Sequence, residues 1–211
     1  MKILNLYAGI GGNRRYWGDD HKITAIEYDQ DTANIYKTFF PNDEVIITDA
    51  HQFLLHNFKD YDFIWSSPPC PTHSRLNTTM VGNGWDVKYP DMTLYQQIIL
   101  LKKWYKGLWV VENVIPYYEP LIQAKKVDRH LWWSNFYISE FIPSKKPKHE
   151  TASKSDLEKF FGIDLSGFDA NGKNDKRKML RNMVHPETGL HILNCALKKY
   201  DSNNEKQLTI F

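Results

Sequence analysis

The feature that most constrains the fold is an alternation of short apolar runs with segments suited to helices. The apolar runs are KILNLYA, KITAIEY, EVIITDA, DFIWSS and LWVVENV, and most of them end at glycines or at an acidic residue. The segments DQDTANIYKTFF and MTLYQQIILLKKWY have the capping residues or the apolar spacing of helices. Nearly continuous apolar strands that alternate with helices are typical of a parallel sheet covered on both faces. We therefore expect a doubly wound, Rossmann-like α/β fold.

The order of the segments predicts one main domain with small additions. Residues 1–142 carry the alternating pattern, whereas residues 143–180 are rich in Lys, Pro, Ser and Gly and have too few apolar residues for a core of their own. A final helix that begins near Pro186 is expected within residues 181–200, where the chain returns to the main domain. Residues 201–211 are polar until QLTIF and are expected to form a flexible tail.

Basic residues are concentrated late in the chain. The formal net charge is only +2, but residues 141–181 carry 10 Lys and Arg against 6 Asp and Glu. This excess suits contact with phosphates, and it suits a plain solvated surface equally well. No apolar run approaches the roughly 20 residues of a membrane span, and the N-terminus lacks the features of a signal peptide. We expect a cytoplasmic protein without a membrane partner or a bound metal, in which Cys70 and Cys195 are free thiols.

The first three strand ends predict a nucleotide-type site. In a parallel α/β sheet, ligands bind at the carboxyl ends of the strands. The candidate residues at these ends are Gly9, Gly11, Gly12, Glu27, Tyr28 and Asp49. The glycines let the backbone approach a ligand, or they simply serve a tight turn with positive φ. Glu27 could accept hydrogen bonds from a ribose diol, and Asp49 could accept one from an adenine amino group. Acidic residues in such positions are also common helix caps.

A cysteine and a glutamate follow the next two strands at the same predicted edge. Cys70 lies in the polar stretch SSPPCPTHS, where prolines stiffen the turn, and this position favours a nucleophile over a small buried hydrophobe. Glu112 ends the run LWVV. A buried carboxyl there can stay protonated and donate a hydrogen bond to a ring nitrogen. The alternative is a loop carboxylate without a chemical role. A thiol and a carboxyl on neighbouring strand ends suit covalent activation of an electron-poor ring.

Five motifs, in order along the chain, resemble those of the DNA cytosine-5 methyltransferases. LNLYAGIGGNRRYW resembles the first motif, SSPPCPTHS the Pro-Cys motif, VVENV the Glu-Asn-Val motif, DRHLWWSNF the arginine motif and RNMVHP the last motif. The motifs span nearly the whole chain. The resemblance implies a compact bacterial or phage methyltransferase that uses S-adenosylmethionine and has a very small basic target-recognition segment.

The resemblance also implies roles for single residues. It implies that Cys70 attacks C6 of a cytosine flipped out of DNA, that Glu112 contacts N3 and the exocyclic amine, and that Arg129 holds the O2 side. C5 of the base then takes the methyl group. The residues implied in the cofactor pocket are Tyr7, Gly9, Gly11, Gly12, Glu27, Tyr28, Asp49, Pro69 and Asn182.

The expected DNA contacts are few. Residues 75–91 suit a mobile loop that closes over a flipped base, or else an ordinary exposed loop. Where the family has a target-recognition domain this chain has only residues 143–180, so we expect a short or relaxed recognition sequence. The candidates for contacts with double-stranded DNA, each equally suited to a plain surface, are Arg75, Lys145, Lys146, Lys148, Lys173, Lys176, Arg177 and Lys178.

Three positions depart from the family pattern. Asn5 stands where the family usually has Asp, Pro71 stands where it has Gln, and His130 follows Arg129 where the family often has a second Arg. The nucleophile and the glutamate are both present, so we still expect an active enzyme. The alternatives are an RNA methyltransferase acting on transfer RNA, which is a branch of the same family, and a non-catalytic accessory subunit that binds DNA or the cofactor.

The last five residues, QLTIF, resemble the peptide with which bacterial proteins bind the β sliding clamp. The residues that would make this contact are Gln207, Leu208, Ile210 and Phe211. Exposed apolar residues at a chain end commonly mark a partner. The alternative is a tail that folds back as an edge strand or packs on the core.

Overall fold

Seven strands form one sheet in the part of the chain that the computed structural model describes, which is residues 1–84, 86, 88–145, 147, 152–168 and 175–208. The strands are β1 (Lys2–Leu6), β2 (Lys22–Glu27), β3 (Glu44–Ile47), β4 (Phe63–Ser66), β5 (Leu108–Val114), β6 (Lys125–Val127) and β7 (His130–Ser134). Their order across the sheet is β3-β2-β1-β4-β5-β7-β6. Strands β1 to β5 pair in parallel, so the five predicted strands are confirmed.

Helices cover both faces of this sheet. They are α1 (Gln30–Phe39), α2 (Ala50–Asn57), α3 (Leu76–Gly82), α4 (Thr93–Trp104), α5 (Lys154–Phe161), α6 (Lys176–Asn182) and α7 (Pro186–Leu208). Four of the described helices follow an N-cap residue whose side chain accepts a backbone N–H, namely Asp29 for α1, Asp49 for α2, Ser153 for α5 and Asp175 for α6. The helices predicted over DQDTANIYKTFF and MTLYQQIILLKKWY are confirmed as α1 and α4.

Two apolar clusters form the core, one on each face of the sheet. Alternate residues of a strand point to opposite faces, and Phe63 and Ile64 of β4 accordingly belong to different clusters. Leu54 of α2 and Leu94 of α4 pack against one face, while Ile192 of α7 packs against the other. The sheet is therefore doubly wound, and the carboxyl ends of its parallel strands meet at one edge.

The strands β6 and β7 were not predicted. They form a hairpin whose two-residue turn is Asp128–Arg129, and β7 pairs antiparallel to both β5 and β6. Asp128 adopts a φ of 52°, a value that glycine adopts more readily than other residues. The turn contains no glycine, so it lacks the usual sequence signal of a two-residue hairpin. This hairpin makes the sheet mixed instead of wholly parallel.

The segment predicted over residues 143–180 shares the core of the main domain. Leu157 of α5 and Leu180 of α6 are fully buried in a cluster with Ile10 and Ile35. Arg15 also donates a hydrogen bond to the carbonyl of Gly162. The segment is thus packed against the first loop and α1.

The final helix begins at Pro186, as predicted, but continues to Leu208. The final helix was predicted to end near residue 200, but the polar residues after that point continue it. Of the sequence-based candidates, Lys146, Lys148, Lys173, Ile210 and Phe211 lie outside the described residues. Within the described residues, no helix has both the length and the apolar character needed to cross a bilayer.

Candidate active site

The first loop, residues 7–12, leaves β1 at the carboxyl edge of the sheet. Gly9 and Gly11 have φ values of 56° and 83°, which glycine adopts without strain. A Cβ atom on Gly12 would lie 2.5 Å from the carbonyl oxygen of Val184, so this glycine permits close packing against the chain after α6. A Cβ on Gly9 would meet open space among the described residues, so the loop leaves room for a ligand at that point.

The carboxylate of Glu27 holds this loop in place. Its Oε2 accepts a hydrogen bond from Gly9 N at 2.9 Å, and its Oε1 accepts from Tyr28 N at 2.9 Å and Asp29 N at 3.0 Å. A carboxylate has about four acceptor sites. The three backbone donors therefore leave capacity for a ribose hydroxyl, the contact that the sequence predicts for Glu27.

The other predicted cofactor residues lie around the same edge. Tyr28 is 78% exposed beside the loop, as a side chain available to stack on a ring would be. Asp49 Oδ1 accepts from Gln52 N at 2.7 Å and so caps α2, the alternative that the sequence left open. Asn182 ends α6 directly before Met183 and Val184, which contact Gly12. The contacts of Tyr28, Asp49 and Asn182 with adenosine stay predictions.

Gln97 is a site residue that the sequence analysis missed. It is fully buried on α4, where its Nε2 donates to Tyr7 Oη at 2.7 Å and its Oε1 accepts from Ser66 Oγ at 2.7 Å. Burial raises the pKa of Tyr7 to about 12. The amide of Gln97 therefore joins the start of the first loop to the end of β4, just before the Cys70 loop.

The residues around the first loop also explain the departure at Asn5. Its side chain is fully buried, and it exchanges amide hydrogen bonds with Asn13 at 2.8 and 3.4 Å. The next residue, Arg14, bonds Asp43 through Nε at 2.9 Å and pairs with Asp19 at 3.0 Å. The neutral side chain of Asn5 thus suits the amide of Asn13. The ion pair of Arg14 with Asp43 holds the segment that follows the first loop.

Cys70 follows β4 and Glu112 lies near the end of the adjacent strand β5, and the two are close enough to interact electrostatically. We name the space beside these two side chains the crevice. Cys70 is half-buried, whereas Glu112 is 8% exposed. Burial raises the pKa of the Cys70 thiol, and the negative charge of Glu112 raises it further. Asn113 Nδ2 donates to Pro68 O at 3.0 Å, and this bond fastens the proline loop to the end of β5. The catalytic roles of Cys70 and Glu112 stay predictions.

The basic residues of the β6–β7 hairpin lie differently from the sequence-based expectation. Arg129 lies in the turn with its side chain 62% exposed, and its Nε is 3.9 Å from the Asp128 carboxylate. His130, the first residue of β7, places Nε2 at 4.0 Å from Glu112 Oε2. The role predicted for Arg129 at the pyrimidine O2 stays a prediction, and His130 is the hairpin residue that reaches the glutamate.

The predicted closing loop is anchored near both ends. Asp91 N donates to Thr72 Oγ1 at 3.0 Å, and Asn77 Nδ2 donates to Lys88 O at 2.6 Å. Between these bonds the chain forms α3, so the loop is not wholly irregular. His73, three residues after Cys70, is buried with Nδ1 at 2.6 Å from Tyr118 Oη, and its burial lowers its pKa.

The described DNA-contact candidates belong to three separate parts of the chain. Arg75 is exposed directly before α3, Lys176 and Lys178 lie on α6, and Lys145 is exposed after the hairpin. Arg177 Nε donates to Ala152 O at 3.1 Å and so also serves the packing of the small segment. Contacts of these residues with DNA stay predictions.

A cavity of about 430 Å³ lies away from this edge, between α4 and the hairpin. Tyr105, Trp109 and Trp133 contribute to its walls, and none of the predicted site residues lines it. This cavity is therefore distinct from the region around Cys70 and Glu112. Among the described residues, no group of three or more His, Cys, Asp or Glu could hold a metal ion.

The sequence profile of the C-5 cytosine-specific DNA methylases matches residues 1–115, more than half of the chain. The chain belongs to this family. The matched region includes the first loop, Cys70 and Glu112. It follows that the protein is an S-adenosylmethionine-dependent methyltransferase.

One solved methyltransferase structure has the same fold, and two others are similar to part of this chain. EhMeth from Entamoeba histolytica is 11% identical over 95% of this chain and 98% of that chain, with a TM-score of 0.57. DNMT2 from Spodoptera frugiperda is 27% identical over 54% of this chain, with a TM-score of 0.38; the match covers only 35% of the DNMT2 chain. A DNA modification methyltransferase encoded within an E. coli prophage is 20% identical over 56% of this chain and 33% of that chain, with a TM-score of 0.38. The predicted Rossmann-like class is confirmed, while no curated protein sequence matches significantly.

S-adenosylmethionine, the cofactor of this family, fits the residues at the carboxyl edge. The open space at Gly9, the remaining acceptor capacity of Glu27 and the exposed ring of Tyr28 match a methionine backbone, a ribose and an adenine. These groups come from the adjacent ends of β1 and β2. Strand β1 also pairs with β4, which leads into the Cys70 loop, so a cofactor bound here would lie next to that loop.

Replacement of Gln97 by alanine is expected to weaken cofactor binding. The change leaves Ser66 and Tyr7 without their shared partner, and a lost buried hydrogen bond costs about 1–3 kcal/mol. We expect calorimetry to give a dissociation constant higher by roughly 5- to 100-fold. The neighbouring Gln96→Ala, on the exposed side of α4, is the matched control. Equal affinities of the two variants would contradict the positioning role.

Alkylation of Cys70 by iodoacetamide is expected to rise with pH, with a midpoint above the ordinary thiol value of 9.0, because burial and then Glu112 raise its pKa. Only the thiolate reacts, so alkylation is slow at neutral pH. Glu112→Gln removes the charge but not the burial, and it should lower the midpoint. Mass spectrometry of the Cys70 peptide separates this reaction from that of Cys195. An unchanged midpoint would show that the carboxylate does not act on the thiol.

Proposed function

We propose that this protein methylates C5 of cytosine in DNA through a covalent adduct between Cys70 and C6 of the base. The observation that supports this most directly is the electrostatic coupling of Cys70 to a nearly buried Glu112. A thiol beside a carboxyl is the pair that such an addition requires, because one group bonds carbon while the other serves the ring nitrogen. The description of the matching family as cytosine-specific DNA methylases supports cytosine in DNA as the substrate.

The residues have distinct tasks in the proposed reaction. Cys70 loses its proton to solvent as Sγ bonds to C6, and Glu112 takes up a proton from solvent and passes it to N3, which leaves C5 electron-rich. S-adenosylmethionine would supply an electrophilic methyl group, which C5 takes as the bond between that methyl and the sulfonium sulfur breaks, leaving S-adenosylhomocysteine. The C5 proton then passes to solvent, the Sγ–C6 bond breaks, Sγ regains a proton from solvent, and N3 returns its proton to Glu112. The thiol is protonated at neutral pH, so its deprotonation is coupled to attack.

The target base leaves the duplex in this proposal, because C6 is out of reach within the stack. Unstacking costs a few kcal/mol and is least costly for an unpaired base. Residues 75–91 follow the nucleophile directly and carry Arg75 at the start of α3, so they adjoin the space that a flipped base enters. The bond of Asn77 to Lys88 shapes this segment, and that of Thr72 to Asp91 fixes its far end.

A non-catalytic accessory role is less well supported. Such a subunit has no chemical need for a thiol and a carboxyl in one crevice, nor for Asn113 to fasten the loop between them. The short segment after the hairpin offers few base contacts, in keeping with the short or relaxed recognition sequence predicted from the sequence. Clamp binding by Gln207 to Phe211 likewise stays a prediction.

Methyl transfer from labelled S-adenosylmethionine to duplex DNA and to transfer RNA tests the proposal. We expect label in DNA, at C5 of cytosine after nuclease digestion. Label only in RNA would replace the DNA substrate by RNA. Label in neither, with intact cofactor binding, would contradict the catalytic role and favour the accessory role.

A further inference from the structure

The glutamate of the crevice has an oxygen that no described group satisfies. Glu112 Oε2 is buried and has no hydrogen-bond partner among the described residues. Buried carboxylate oxygens normally have partners, because an unmade hydrogen bond there is costly. The nearest basic atom is His130 Nε2 at 4.0 Å, beyond direct hydrogen-bonding distance. The gap suits a third polar group that bonds to both side chains.

The strand register explains why His130 reaches this point. In the antiparallel pair β5–β7, Val114 lies opposite His130 and Glu112 lies opposite Trp132. Residues two apart on a strand share a face, so Glu112 and His130 are diagonal neighbours on one face of the sheet. The imidazole is 35% exposed and the carboxyl side chain 11%, so the histidine lies on the open side of the pair.

Arg129 is placed less well for the same task. It belongs to the turn and not to the strand, and its side chain is 62% exposed. Its guanidinium is already beside the Asp128 carboxylate, at 3.9 Å. The register thus brings the histidine, one residue later, toward the glutamate.

We infer that His130, and not Arg129, is the basic residue that contacts the O2 edge of the target cytosine beside Glu112. This inference rests on the proposed function. Thiolate addition at C6 moves electron density toward N3 and O2, and an N–H donor at O2 stabilises that charge. Glu112 serves N3, and the imidazole Nε2–H serves the adjacent oxygen. His130 is thus a catalytic residue, because it touches the reacting ring.

The test measures the rate at which Cys70 forms a covalent adduct with a duplex that contains 5-fluorocytosine. Fluorine at C5 blocks the elimination step, so the adduct accumulates and can be counted on a denaturing gel. His130→Phe keeps a ring beside Trp132 but removes both nitrogens, and the rate should fall by about 10²-fold. His130→Gln and His130→Arg put N–H donors back at this position, and both should be faster than the Phe variant.

The control is His56→Gln, a histidine on the exposed side of α2, which should keep the wild-type rate. Cofactor affinity and melting temperature of the His130 variants should match the wild type. Three results would overturn the inference: a wild-type rate for His130→Phe, equal rates for the Phe, Gln and Arg variants, or a larger loss in Arg129→Ala than in His130→Phe.

Failure of the proposed function would look different. A wild-type protein that forms no adduct on DNA or RNA carrying 5-fluorocytosine would overturn both the covalent mechanism and this inference. A wild-type adduct that persists unchanged in His130→Phe would overturn the inference alone. An adduct on RNA only would move the substrate to RNA, and the His130 variants are then measured on it.

Discussion

Cys70→Ala is expected to abolish methyl transfer, with a loss on the order of 10³-fold or more, because it removes the atom that bonds to C6. The fold should persist, since Cys70 is half-buried and its loop is held by the bond between Asn113 and Pro68. Cofactor affinity should persist as well, because the groups that fit the cofactor belong to other strand ends. Label transfer and calorimetry on the same preparation measure the two properties separately.

The second cysteine provides the matched control for this experiment. Cys195 is buried on α7, where its Sγ lies 3.6 Å from His191 Nε2 and far from the first loop in sequence. Cys195→Ala should therefore keep methyl transfer and cofactor binding. If Cys70→Ala lost cofactor binding and activity together, Cys70 would be a structural residue. If Cys195→Ala lost activity as severely, the assignment of the nucleophile would be wrong.

The parallel part of the fold was predictable because local and global signals agree there. Each parallel strand is a short apolar run, and the candidate site residues stand at or after the end of such a run, so the sequence alone could place Cys70 and Glu112 at one edge of the sheet. The hairpin β6–β7 was not predicted because its turn, Asp128–Arg129, has neither glycine nor proline. Aspartate tolerates a positive φ, but a single aspartate is too common elsewhere to predict such a turn.

Other residues near the site could not be predicted from the sequence, because their burial depends on partners that are distant along the chain. Gln96 and Gln97 are adjacent and identical in type, yet only Gln97 faces the core, where Ser66 and Tyr7 meet it. A polar residue in an amphipathic helix indicates a solvated face until its tertiary contacts are known. Asn5 could be recognised as a departure from the family, but its reason, the amide pair with Asn13, required the structure.

Arg14→Met is expected to lower the free energy of unfolding by about 3–5 kcal/mol, the cost of breaking a buried ion pair from one side. Arg14 and Asp43 are each 3% exposed, and the loss of the guanidinium leaves the Asp43 carboxylate, among the described side chains, with the hydroxyl of Tyr36 at 2.8 Å. The short 3-10 helix Asn13–Tyr16 lies directly after the first loop, and the pair of Arg14 with Asp43 holds it in place. Its loosening should therefore also weaken cofactor binding.

The arginine has a second carboxylate partner, which makes the test selective. Asp19 is 77% exposed, and an exposed pair contributes about 0–1 kcal/mol, so Asp19→Ala should change the urea midpoint little. Adding Asp43→Asn to Arg14→Met removes the unpaired charge, and the double variant should regain part of the lost stability. Equal effects of Asp19→Ala and Arg14→Met, or no recovery in the double variant, would show that burial of this pair is not what fixes the segment after the first loop.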